Sequence, residues 1–477
     1  MRVCQKNHLK LPAMAATKLF LLFLVYKLTI CQSINVEKLL DGAIIKNVDR
    51  TIDITTQLEK ITSKITLQNL AKTPLKSFVV AYEGKRDQLA YIAVKDSSTK
   101  ELKLTETAAP DLGDVTFFVA ELKSPVTIGS TTLVCEIVVT KSLVPHPAAI
   151  TQAEDQLAEY NGNAYFFSPY PVESQKTRIL SSKNMESYTK VSPYTVNDKM
   201  IEYGPFANVL EFSEKPITVH YVNNAPFLTV TQLERVIEVS HWGNIAVEET
   251  IKVYHSGAKL SGSFSRYDYQ QDHFSGPSSV RSYKTVLPAS AADVYYRDSN
   301  GNISTSHMKV KKDSVELELR PRFPLFGGWK THYTLGYNVP SYEYLYHHGN
   351  EYLLKMRAVD HVFDDMHIDE LVTKIILPEG VTNTKLNVPY SITRLPDSLH
   401  FTYLDVKGRP VISFKKNNVV EKHIQDFQLR YSFPRVLMLQ EPLLVVGFLY
   451  ALFICVIIYV RLDFSIHKNE HHKEHKE

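Results

Sequence analysis

The chain is short of cysteine, of glycine and of surplus charge, and each shortage excludes something. Four cysteines stand in 477 residues. Cys4 and Cys31 fall in or beside an N-terminal apolar segment, and Cys455 falls in a C-terminal one. Only Cys135 remains in the bulk of the chain, and one thiol cannot close an internal disulfide. This part must be held by its core. Cys135 lies in Leu133-Val-Cys-Glu-Ile-Val-Val139, which reads as a buried strand with an inert thiol. Only 18 Gly stand against 27 Tyr and 22 Phe, a balance that suits β-rich domains. A net charge of +3 gives no reason to propose a nucleic-acid partner. There is no G-x-S-x-G elbow, no P-loop and no dinucleotide fingerprint, which leans against autonomous catalysis and against a bound cofactor.

What is present begins with two membrane signals. Leu443 to Val460 reads LLVVGFLYALFICVIIYV, without a charge. About eighteen such residues are long enough for a transmembrane helix. Pro442 suits the first helical position, Glu441 the positive end of the helix dipole, and Arg461 closes the run. The span is set at 441–461, with a short tail at 462–477. Gly447, Ala451 and Cys455 recur every four residues on one face, where small side chains let a second helix approach closely. At the other end, Arg2, Lys6, Lys10 and Lys18 precede the apolar run Leu19 to Val25. That pattern predicts a signal peptide over 1–33, cleaved near Cys31 and Ser33. Cleavage plus one C-terminal span gives an extracytoplasmic body and a cytosolic tail.

Between the signals the expected fold is mainly β: two tandem lumenal β-sandwich-like domains, 34–232 and 233–440, plus the C-terminal transmembrane helix. Val236-Ile-Glu-Val239 leads through the turn-like His241-Trp-Gly-Asn244 into Ile245, Val247, Ile251 and Val253, a hairpin pattern in which Glu249 is the exception. Val315, Leu317 and Leu319 alternate with polar residues, as do segments near Thr373–Pro378 and Asp426–Tyr431. Thr151-Gln-Ala-Glu154 reads as a capping box opening a short helix. Two matches suggest a duplication. Arg50-Thr-Ile-Asp-Ile-Thr55 resembles Arg235-Val-Ile-Glu-Val-Ser240, and Gly162-Asn-Ala-Tyr165 resembles Gly349-Asn-Glu-Tyr352, both at an offset of about 186 residues.

Three stretches invite a chemical reading. Asp360 to Glu370 (DHVFDDMHIDE) is the densest set of possible metal ligands, but its six-residue histidine spacing fits no zinc template, and a polar loop or hairpin face is expected. Asn302-Ile-Ser304 is a glycan-acceptor sequon beside the turn pair Asn300-Gly301. Arg320 to Tyr346 gathers aromatics, Gly327-Gly328 and basic residues, and serves either an interface or a long β connection on its own core. Histidines in the tail (His467, His471, His472, His475) read as solvated.

The segments Arg235 to Glu249, Phe264-Ser-Arg-Tyr-Asp-Tyr-Gln270, Asp293 to Asp298, Arg320 to Tyr346, Val436 to Val446 and Tyr459 to Ile466 closely resemble the ribophorin I family. These are the large type I membrane subunits of the oligosaccharyltransferase complex. The resemblance implies a protein of the endoplasmic reticulum membrane with two lumenal β domains. It implies a complex that moves a preassembled oligosaccharide from dolichol pyrophosphate to Asn in N-x-S/T sequons. The transfer chemistry belongs to a separate subunit, so no catalytic, cofactor or metal residue carries over. The implied role is structural and substrate-presenting, with the other subunits, including the catalytic one, and nascent polypeptides as partners and the translocon as a further candidate. Asn302 corresponds to a family glycan position. Animal members continue into a folded cytosolic domain facing the ribosome. This chain ends about sixteen residues after the span, which speaks against ribosome contact. The alternatives are a lumenal metal-dependent hydrolase using Asp360–Glu370 and a cell-surface adhesion glycoprotein.

Overall fold

The computed structural model describes residues 42–71, 73–108, 115–127, 129–271 and 276–462. The expected signal peptide and all but the first residue of the expected tail lie outside these.

The chain builds two sets of sheets with one topology. In the first, Ala43–Asp53 lies between an antiparallel neighbour, Glu59–Asn69, and a parallel one, Val172–Leu180. Gly129–Val139 extends the sheet on one side and Met200–Val209 on the other. The second repeats this order. Leu228–Val239 lies between antiparallel Asn244–His255 and parallel His367–Ile376, flanked by Lys330–Pro340 and Arg409–Val420. Each set adds a three-stranded sheet inserted between the second and third of these strands in sequence. These are Leu75–Tyr82, Thr116–Val126 and Leu104–Ala108 in the first, and Tyr283–Pro288, Ser314–Leu319 and His307–Val310 in the second. Each also adds a smaller sheet around an antiparallel pair, Leu157–Asn163 with Pro216–Val222 and Glu351–Arg357 with Asp426–Ser432.

The apolar pattern explains why. In Asn244–His255 every second residue points into the core, as period-two alternation requires. The central strands carry an irregularity that sequence spacing reveals. Ile45 and Val48 are both buried although three residues apart, because a bulge falls between Ile45 and Asn47. Val230 and Leu233 repeat that spacing, with a bulge between Val230 and Gln232. An extra residue lets two odd-spaced side chains share a face. One core gathers buried side chains from Ala43 to Phe227, the other from Leu228 to Phe433. Each fully buried Val, Leu or Ile contributes about 1.5–3 kcal/mol, so neither set needs a disulfide. Cys135 is buried in the first core, and burial pushes its thiol up to about 12.

The first repeat match holds in space. Arg50 and Arg235 occupy the same place on equivalent strands, opposite Thr177 and Thr373 of their parallel neighbours. Both threonines donate to the carbonyl of an alanine, Ala164 at 2.8 Å and Ala358 at 3.2 Å. The second match does not hold. Gly162 lies inside a strand, opposite Ile217, whereas Gly349 is the left-handed turn residue of the hairpin between Leu345–His348 and Glu351–Arg357. The expected helix after Thr151 is also absent. The Glu154 carboxylate does accept the Thr151 N–H at 2.7 Å, but that closes a turn. Leu157, Ala158 and Tyr160 then follow a strand instead.

The two sets touch at separated places. On one side Leu58 and Val138 pack on Val420, the Gln57 amide donates to the Asp365 carbonyl at 2.7 Å, and Lys60 pairs with the Asp365 carboxylate. Elsewhere Ala149–Ile150 pairs in parallel with Lys259–Leu260.

Candidate functional site

The helix Gln440–Arg461 leaves the body of the protein and buries none of its residues. Its 22 residues span about 33 Å, enough to cross a hydrocarbon core of roughly 30 Å. It is the one helix of that length and character among the described residues. Gly447, Ala451 and Cys455 are all exposed on it, and a Cβ added to Gly447 would meet nothing within 4 Å.

The base of this helix is clamped to the second set of sheets by charge. A short 3-10 turn, Arg435–Leu439, leads in. Leu437 sits over Gly380, where its Cδ1 takes the space of a side chain and where the left-handed φ of 87° favours glycine. Arg409, at the start of a core strand, holds three carboxylates: Asp405 at 3.1 Å, Glu238 at 2.9 Å and Glu441 of the helix at 2.9 Å. Burial works against the Arg409 charge, but the Asp405 hydrogen bond and the charges of Asp405, Glu441 and Glu238 together raise its affinity for the proton. Glu379 completes the clamp. Its carboxylate accepts the Val406 N–H at 3.0 Å, the Lys407 N–H, and the Gln440 amide at 2.7 Å. Neither Arg409 nor Glu379 stands out in sequence. The only available signal is an isolated charge beside a strand's apolar run.

His241 lies beside this junction. It is not poised for catalysis: it is wedged among Tyr352, Tyr431 and Phe433, with its Nε2 2.8 Å from the Tyr431 hydroxyl. Burial, and then the neighbouring His347, lower its pKa to about 4.

The acid-rich stretch from Asp360 to Glu370 is scattered rather than convergent. Asp360 pairs with Arg235 at 2.8 Å, His361 faces Asp364 and Glu421, and Asp365 takes Lys60. His367 bonds Asn418, Asp369 takes Lys141, and Glu370 takes Lys415. Among the described residues no three His, Cys, Asp or Glu side chains gather as a metal site.

Asn302 is exposed in the two-residue strand Gly301–Asn302, which turns back on Ala292–Asp298. Arg322 fixes the turn. It pairs with Asp298 and donates to the carbonyls of Gly301 at 3.2 Å and Asn302 at 3.4 Å. These bonds use the Asn302 backbone. The aromatic segment 320–346 folds largely onto its own body: Trp329 packs on Phe264, Phe323 and Phe326, and Lys330–Pro340 is a core strand. Tyr342 and Tyr346 stay exposed.

A duplicated β body clamped to one exposed apolar helix defines the class: a single-span membrane protein with a large β-rich extramembrane part. Within that class the chain belongs to the ribophorin I family, whose profile matches residues 43–460. It is 44% identical over 426 residues to dolichyl-diphosphooligosaccharide–protein glycosyltransferase subunit 1 of Caenorhabditis elegans, a match covering 88% of this chain and 72% of that one. Subunit 1A of Arabidopsis thaliana is 36% identical, with 89% and 71% covered. Subunit 1B of Oryza sativa subsp. japonica is 35% identical, with 90% and 93% covered. An M1 zinc metallopeptidase from Deinococcus radiodurans overlays 43% of this chain and 42% of that one at 9% identity, with a TM-score of 0.25, too slight a likeness to carry an argument.

Proposed function

We propose that this chain is a non-catalytic subunit of an oligosaccharyltransferase. Its β body stands in the lumen of the endoplasmic reticulum and holds partner subunits and nascent polypeptides near the active site. The family match across residues 43–460, with relatives named as subunit 1 of that glycosyltransferase, carries the reading. The absence of chemistry of its own is supported by the way the candidate acids Asp360, Asp365, Asp369 and Glu370 are already engaged in ion pairs with Arg235, Lys60, Lys141 and Lys415. Co-immunoprecipitation from detergent extracts tests it. The chain comes down with the catalytic subunit; clean absence from the solubilised complex ends the reading.

Three finer parts belong to the same proposal. The body comprises two lumenal domains, with the boundary of the expected pair 34–232 and 233–440 drawn back to Phe227/Leu228, since the strand Leu228–Val239 belongs wholly to the second set. Asn302 carries an N-glycan, supported by its exposure and by its position on a fixed turn. Glycosidase H then shifts the wild-type band downward and leaves Asn302→Gln unshifted. The face of Gly447, Ala451 and Cys455 packs against a neighbouring helix in the membrane, supported by the open space beside it. Replacing Gly447 and Ala451 by Leu blocks close approach, and the double variant co-purifies with its partners several-fold less. Unchanged recovery removes that face.

A further inference from the structure

We infer that the body of this protein rests on the bilayer surface through an apolar collar around the base of its membrane helix. Two loops form the collar, and the short 3-10 turn leading into the helix joins it. The first loop is the tip of the hairpin between Leu228–Val239 and Asn244–His255, where Trp242 is 64% exposed. The second is the tip between Ser398–His400 and Arg409–Val420, carrying Phe401, Tyr403 and Val406, with Tyr403 standing wholly in the open. The turn contributes exposed Val436 and Leu439.

Both tips are held at the level of the helix's first turn. Trp242 lines the same shallow cavity as Gln440 and Glu441. Phe401 packs on Gly408, the neighbour of Arg409, and Arg409 grips Glu441. The Glu379 carboxylate binds the tip at Val406 and Lys407 and the helix at Gln440. The helix exceeds the hydrocarbon thickness by about 3 Å, roughly two residues, which puts Gln440 and Glu441 at the polar boundary. Whatever is pinned to them shares that depth. The residues displayed there are of the interfacial type: Trp and Tyr concentrate where one side is apolar and the other wet. Arg435 and Lys407 are exposed among them, suited to lipid phosphates. Large side chains left open in one ring mark a contact surface. Continuity with the membrane helix assigns the occupant as lipid.

The chain's two tryptophans make the test direct. Trp329 is packed among Phe264, Phe323 and Phe326 away from the collar. Full-length protein is placed in phosphatidylcholine nanodiscs with or without acyl chains brominated near the headgroup. The expected result is a roughly twofold or larger drop in the Trp242 emission, absent from Trp242→Phe. A second variant, Trp242→Phe with Val446→Trp, puts a reporter on the exposed helix near the depth of the bromines and identifies discs in which lipid reaches the protein. In those discs, unchanged wild-type emission overturns the inference. Acrylamide then separates the two ways it fails: quenching means the collar hangs in water, and protection from both quenchers means that this chain or a second copy of it covers Trp242.

Discussion

At the residue scale the most telling group is Arg235, fully buried with Glu249 and Asp360 as partners and Tyr337 within 3.2 Å. The two carboxylates and the hydroxyl keep its proton held well above the ordinary range against the pull of burial. Glu249 breaks an otherwise apolar alternation, and the structure gives the reason. It stands directly across the strand pair from Arg235. Sequence showed the anomaly but not the trio, because its third member, Asp360, lies 125 residues beyond Arg235. Asp360→Ala leaves a buried cation short of charge, which costs about 3–5 kcal/mol; a thermal midpoint depressed by several degrees is the check. Buried His255 gives a pH test. Its Nε2 bonds the Ser278 carbonyl at 2.9 Å while Nδ1 accepts the Gly257 N–H. Burial lowers its pKa from 6.5 to about 4, although its backbone bonds partly oppose this. Between those values the unfolded chain binds the proton and the folded one does not, so stability is complete above pH 6.5 and drains as pH falls toward 4. Denaturant titrations of wild type and His255→Gln should therefore lie apart at neutral pH and converge as the solution is acidified.

At the scale of the element, strands and the membrane helix were legible because their signals are local. Period-two alternation gave Ser314–Leu319, and a Gly in a turn tetrad gave the hairpin at Ser240–Asn244. Local signals also misled. Thr151 and Glu154 made their expected bond, yet the alternation after it outweighed the cap. The aromatic segment 320–346 was ambiguous because packing partners such as Phe264 lie far off in sequence. The clamp at Arg409 was invisible for the same reason: its carboxylates come from positions 238, 405 and 441. Arg409→Ala loosens the helix base, which Glu379 on Gln440 and Leu437 on Gly380 still hold. The loss is about 1–2 kcal/mol, since Glu238 and Glu441 are only half-buried. Spin labels placed across the junction should report a broader distance distribution, while the strands keep their circular dichroism.

For the whole molecule, the duplication was readable because Arg50-Thr-Ile-Asp-Ile-Thr55 and Arg235-Val-Ile-Glu-Val-Ser240 share one order of residue types, and the two arginines hold the same buried place. The Gly-Asn pair misled because one dipeptide serves two settings: Gly349 turns a hairpin, as Gly before Asn commonly does, whereas Gly162 sits inside a strand. What sequence does not state is how the copies meet. Leu58, Val138 and Val420 form a small dry contact, and Thr140 donates to Asn418 at 2.9 Å beside it. Val420→Asp buries an unpaired charge there. X-ray scattering should show a larger radius of gyration for the variant, with each copy's β signature retained.

The parallel pairing at the heart of each copy sets a clock on biosynthesis. Ile45 meets Val172, about 127 residues further along, and Thr229 must likewise await His367. At roughly 5–20 residues per second the first of these waits lasts about 6–25 s. For that interval the strand Ala43–Asp53 has one edge uncovered, and a holding factor or a crowded exit site governs whether it finds its own late neighbour or a stranger's.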